Sequence, residues 1–174
     1  MKRTSLKEPI LIFIVIVVIL IWGLNTFNTG NPLWFLPIQP QYRPARIIVH
    51  HYGQATELRP DDEGFDALAE GLNATLSDFQ SRDLVSIGIG EQTLADYYAD
   101  EFVLEAFYGQ NVEFNLPIRL TGINTLLFPI DARHSERNYV FIGNNREYRA
   151  GALQVVSREA LEAALAETGF PQND

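Results

Sequence analysis

Apolar and polar positions fall into three patterns along this chain. The first is an unbroken run without charge, Ile10–Leu24. As a helix its fifteen residues reach about 22 Å at ~1.5 Å each, short of a hydrocarbon core of ~30 Å. Pro9 suits a first helical position, and Asn25, Thr26 and Phe27 extend the far end. A transmembrane signal-anchor helix is therefore predicted over residues 10–27. Many consecutive β-branched side chains, apolar on every face, suit lipid better than a helix packed on one side. Trp22 and Trp34 fit the interfacial belt.

The second pattern is a helical stripe. Phe65, Leu68, Leu72, Leu76 and Phe79 recur at three- and four-residue spacing. Asp61, Asp62 and Glu63 put negative charge at the helix start. One long helix ending near Ser81 is expected. A shorter one is expected at 158–167, capped by Ser157 and stopped by Gly169. Between them, Thr93 and Asp96 form a capping-box-like pair for a short helix.

The third pattern is β-forming. Ile47-Ile48-Val49 begins a hairpin, with Gly53-Gln54 as a type II′ turn. That register sets Ile47, Val49, His51, Thr56 and Leu58 on one face and His50 opposite Glu57 on the other. Further strands are predicted over 102–108, 112–120, 123–130, 138–142, 147–150 and 153–156. The hairpin of 138–150 turns at Gly143-Asn144-Asn145. Clustered strands indicate an α+β domain: a mostly antiparallel sheet packed on one long helix, with a short C-terminal helix.

Prolines 32, 37, 40 and 44 divide anchor from domain. The organisation reads as an N-terminus at 1–9, the anchor at 10–27, a proline-rich linker at 28–45, a globular domain at 46–170 and a tail at 171–174. Leu33-Trp34-Phe35-Leu36 interrupts the linker with apolar character, suited to the membrane surface or to docking on the domain.

Charge adds orientation. Lys2, Arg3 and Lys7 precede the run, and the next bases are Arg43 and Arg46. The positive-inside rule then predicts a single-pass plasma-membrane protein, N-terminus cytoplasmic, C-terminal domain extracytoplasmic. No Ala-x-Ala pattern follows Leu24, which argues against signal cleavage. Three of the 13 bases and one of the 22 acids lie before the run, leaving about −11 beyond it. Such a domain repels nucleic-acid phosphates and anionic headgroups. Every base after Lys7 is arginine, a bias that suggests a GC-rich prokaryotic genome. The chain has no cysteine, so disulfides, thiolate nucleophiles and Cys-ligated zinc are excluded.

Candidate chemistry is sparse. His50 and His51 point to opposite faces of a strand and cannot share a metal. His51 is expected to cap the core face and His50 to pair with Glu57. No serine lies in Gly-x-Ser-x-Gly. Asp96, Asp100, Glu101 and Glu105 read as a solvated face. Gly88-Ile-Gly90 lacks the lysine of a phosphate loop. The sequon Asn73-Ala-Thr75 falls inside the long helix and reads as chance. Arg133, His134, Arg137 and Arg146 are a local excess of base, a candidate anion or partner patch. Neither a metal nor a cofactor is expected. The reading is a membrane-bound, non-catalytic interaction domain with an envelope protein partner. Alternatives are a small-molecule or ion sensor and an enzyme of unrecognised type.

Overall fold

A computed structural model describes residues 7–36 and 38–172. The chain divides into two compact units. The smaller comprises residues up to 37 together with 115–119, and the larger comprises 38–114 and 120–174.

The smaller unit is built on α1, Lys7–Thr29. Its mean hydropathy is 2.8 and none of its residues is buried. Polar side chains in its last turns bond back onto the helix. Asn25 Nδ2 donates to Ile21 O at 2.9 Å and Thr29 Oγ1 to Asn25 O at 2.8 Å. Each thereby satisfies itself without solvent.

The larger unit holds a six-stranded, wholly antiparallel sheet in the order β2-β1-β3-β4-β5-β6. The strands are β1 Arg46–His51, β2 Gln54–Leu58, β3 Phe102–Phe107, β4 Thr125–Asp131, β5 Tyr139–Asn144 and β6 Glu147–Gln154. Three helices accompany them: α2 Phe65–Thr75, α3 Glu91–Ala99 and α4 Glu159–Glu167. The α+β class is as expected.

Both faces of the sheet are covered. One carries Ile47, Val49, Phe102, Leu104, Leu126 and Phe128, all fully buried. The helices left to cover it are α2 and α4, which pack on one another, and His51 on this face bonds Pro171 O just beyond α4 at 2.8 Å. The other face carries Val103, Leu127, Phe141 and Ala152, packed with Tyr97 of α3 and with Val85, Ile87 and Ile89. The expected single long helix is thus corrected. The stripe ends at Leu76, and Phe79 leaves the helix to pair with Val155 as an isolated bridge. Residues 79–87 then run along β6, with Val85 N donating to Ala152 O at 2.9 Å, so the β6 edge is covered.

Gly71 marks the crossing of α2 and α4. A Cβ there would stand 3.0 Å from Ala160 O and 3.1 Å from Leu161 Cα. Backbone cannot swing aside as a side chain can. Gly71→Val is therefore expected to cost about 1–3 kcal/mol, although the substitution favours helix elsewhere. A urea titration of the full-length protein in micelles checks it, and an unchanged midpoint would refute the close crossing.

Both hairpin registers differ from expectation. The first turns at Tyr52-Gly53, both at positive φ, which makes a type I′-like turn matching strand twist. His50 pairs with Ala55, and Glu57 with Ile48. This two-residue shift preserves the faces. The second turns at Asn145-Arg146, again both at positive φ, with Gly143 opposite Tyr148. No strand forms over 112–120. Pro117 cannot donate to a ladder, and Val112 and Ile123 act as buried anchors of an irregular connection.

Candidate functional site

The central position of β3 holds a carboxylate. The alternation of β3 sets Val103, Glu105 and Phe107 on one face, and Glu105 is fully buried there. Burying an ion without partners is costly, and four donors meet it. Oε2 accepts from His50 Nε2 at 3.0 Å and from Arg146 Nη2 at 2.7 Å. Oε1 accepts from the hydroxyls of Tyr98 at 2.8 Å and Tyr148 at 2.5 Å. A carboxylate offers about four acceptor positions, and all are filled.

The electrostatics follow. Burial pushes the Glu105 carboxyl upward, but the four donors more than reverse this and bring it down to about 2. Burial and the Glu105 charge push the Tyr98 and Tyr148 hydroxyls upward, so both keep the protons they donate. His50 lies stacked on the Tyr98 ring with centroids 4.2 Å apart. The Arg146 guanidinium covers Tyr98 at 5.8 Å and Phe107 at 5.3 Å, and Arg46 lies over Phe107 at 4.2 Å. One carboxylate thus ties together β1, α3, β3, β6 and the β5–β6 turn. So low a pKa with no open lone pair suits an architectural anchor, not a general base or nucleophile.

Above it lies a polar hollow of about 450 Å³, lined by Asn144, Asn145, Glu147, Tyr148 and Arg149. Tyr148 belongs to both. Arg149 braces the hollow by donating to Thr121 O at 2.7 Å.

The opposite end of the sheet holds a second group. Tyr97 is wholly buried, and its hydroxyl donates to Arg133 O at 2.6 Å. His134 Nδ1 lies within hydrogen-bond distance of the same hydroxyl, at 2.7 Å. Burial lowers the affinity of the ring for a second proton, as does the Arg133 charge, while Glu101 opposes both. Glu101 accepts from Arg133 N at 2.7 Å, and Tyr52 donates to Asp131. Tyr52 and His134 both sit at positive φ, an uncommon backbone state for such side chains.

The four residues of the proposed basic patch are therefore divided. Arg133 and His134 lie together beyond Asp131, Arg137 is exposed on the 3-10 turn Ser135–Arg137, and Arg146 stands at the far end of β5. Glu105 neutralises Arg146, while Asp96 faces Arg133 at 3.7 Å. The expected His50–Glu57 pair is corrected: His50 bonds Glu105, and Glu57 bonds Arg59 at 2.9 Å. Glu105 itself is misplaced by a solvated-face reading. The signal was present, since an acid centred in Phe-Val-Leu-Glu-Ala-Phe, a strand apolar on both faces, must be buried and paired.

Comparison with protein-family models, with curated proteins and with solved structures gives no match to this chain.

Proposed function

We propose that this protein is a single-pass membrane protein whose extracytoplasmic domain binds a protein partner of the envelope without catalysis. The observation that carries the reading is α1, uncharged and apolar from Ile10 to Leu24 and with none of its residues buried. Apolar surface on that scale seeks lipid. Lys7 alone among the described residues marks the N-terminal flank as basic, and the sequence adds Lys2 and Arg3. Both support a cytoplasmic N-terminus. The locked Glu105 network supports a rigid platform. The open edge of β2, with Gln54–Glu57 exposed, supports partner binding by strand addition.

Crosslinking of tagged full-length protein in its native membrane, followed by mass spectrometry, tests this. A reproducible stoichiometric partner is expected, with crosslinks concentrated on β2. A protein that stays alone sinks the partner half of the reading.

The polar hollow beside Tyr148 favours a second reading, a small-molecule sensor. Its walls supply amide, hydroxyl, carboxylate and guanidinium groups, the orienting set of a ligand site. A ligand series that leaves the melting temperature unchanged would remove it.

A further inference from the structure

We infer that residues 31–36 form a re-entrant turn embedded in the membrane leaflet at the C-terminal end of α1, where lipid acyl chains pack against Leu33, Trp34 and Phe35. This rests on the reading of α1 as a membrane span.

The geometry begins at Gly30, whose φ of 74° reverses the chain. Gly30 N closes the helix on Thr26 O at 2.8 Å. The chain then runs back along α1. Trp22 Nε1 donates to Pro32 O at 3.0 Å. Trp34 and Phe35 join Val18, Ile19, Ile21 and Trp22 around an apolar hollow of about 410 Å³. Trp22 and Val18 precede Thr29 by seven and eleven residues. At ~1.5 Å each, the turn descends about 10–16 Å below the helix end. Half of a hydrocarbon core is ~15 Å. If α1 spans, this turn lies within the leaflet.

Most of its described hydrogen bonding fits that solvent, while Trp34 Nε1 is buried without a partner. Backbone groups facing lipid must be satisfied by protein. Leu33 N donates to Asn31 Oδ1 at 2.8 Å, and Leu36 N to Leu33 O at 2.9 Å. Asn115 Nδ2 donates to Leu36 O and, at 3.5 Å, to Leu33 O. Asn115 Oδ1 accepts from Asn31 Nδ2 at 2.9 Å. Two asparagines thus stand where water would serve an exposed loop. The side chains match: Leu33 and Phe35 are each 55% exposed and continuous with the apolar surface of α1. Arg119 Nε lies 3.7 Å from where a Cβ on Gly30 would stand, placing a cation at the helix C-terminus and at phosphate level.

The chain has no cysteine, so single nitroxide labels report cleanly. Three full-length variants in phosphatidylcholine vesicles are compared: Leu33→Cys in the turn, Leu24→Cys in the span and Thr56→Cys on the exposed β2 strand. Accessibility is read as collision with oxygen, which concentrates in lipid, against a water-soluble nickel chelate. The Leu33→Cys label is expected to match the Leu24→Cys label, with an oxygen-to-nickel ratio several-fold above that of Thr56→Cys. A Leu33→Cys label that matches Thr56→Cys, while Leu24→Cys stays in lipid, overturns the re-entrant turn and leaves the anchor standing. A Leu24→Cys label that is itself aqueous overturns the anchor, and the turn with it.

Discussion

Glu105→Leu is expected to destabilise the protein by about 3–5 kcal/mol, the usual loss when one partner of a buried ionic network is removed. The leucine side chain is similar in size, so the loss comes from the orphaned donors. Arg146 would keep a charge against Phe107 and Tyr98, while the His50 ring and two tyrosine hydroxyls would lose their acceptor. Thermal melting of full-length protein in micelles should fall by on the order of 10 °C for a domain of this size. A melt within a degree or two of wild type would show that the network is dispensable.

The pH dependence of the same network separates charge from shape. The Glu105 carboxyl lies below its ordinary 4.5, at about 2. A group depressed on folding stabilises above its unfolded pKa and loses that contribution as pH falls through its folded pKa. The window here is therefore about pH 4.5 down to about 2. The difference corresponds to on the order of 3 kcal/mol. Glu105→Gln removes the titration while keeping most of the shape. Wild type should hold its full advantage over Glu105→Gln at pH 6 and lose most of it by pH 2.5, measured by urea midpoints. A gap constant with pH would assign the effect to packing.

Strand composition made most of the sheet legible, and the turns were the weak point. Ile47-Ile48-Val49 and Phe102–Phe107 are β-forming by content, and the faces of β1 were read correctly. Registers were not, because Tyr52 and Arg146 adopt positive φ where the sequence offers glycine or asparagine next door. The α4 region was nearly right: Ser157 Oγ accepts from Glu159 N at 3.1 Å, and Gly169 follows at a φ of 91°. The false strand at 112–120 came from apolar residues that anchor a loop. The Glu105 site needed more than local pattern. Its partners His50, Tyr98 and the hairpin residues Arg146 and Tyr148 come from three separate segments, and only the strand order and the placement of α3 bring them to one point. Nothing in the local pattern around Tyr148 marks its hydroxyl as a donor to a buried acid.

Arginine placed in α1 should dislodge the protein from the membrane in a graded way, and the grading is the test. The run Ile10–Leu24 holds thirteen Leu, Ile, Val and Phe residues. At about −0.3 to −0.6 kcal/mol each, they favour insertion by about 4–8 kcal/mol. One central arginine costs about 3 kcal/mol, so Val17→Arg alone should leave the protein in the membrane. Ile14→Arg, Val17→Arg and Leu20→Arg together cost about 9 kcal/mol and also remove three favourable residues. Insertion then turns unfavourable. Alkaline extraction of membranes should leave the wild type and the single variant in the pellet and move the triple variant to the supernatant. Tags at both ends, followed on one blot, report cleavage in the same experiment. A wild-type chain released by alkali would refute the span, as would separation of its two tags. A triple variant that stays in the pellet would mean that something besides α1 holds the protein there, and the apolar turn at 31–36 would be the first place to look.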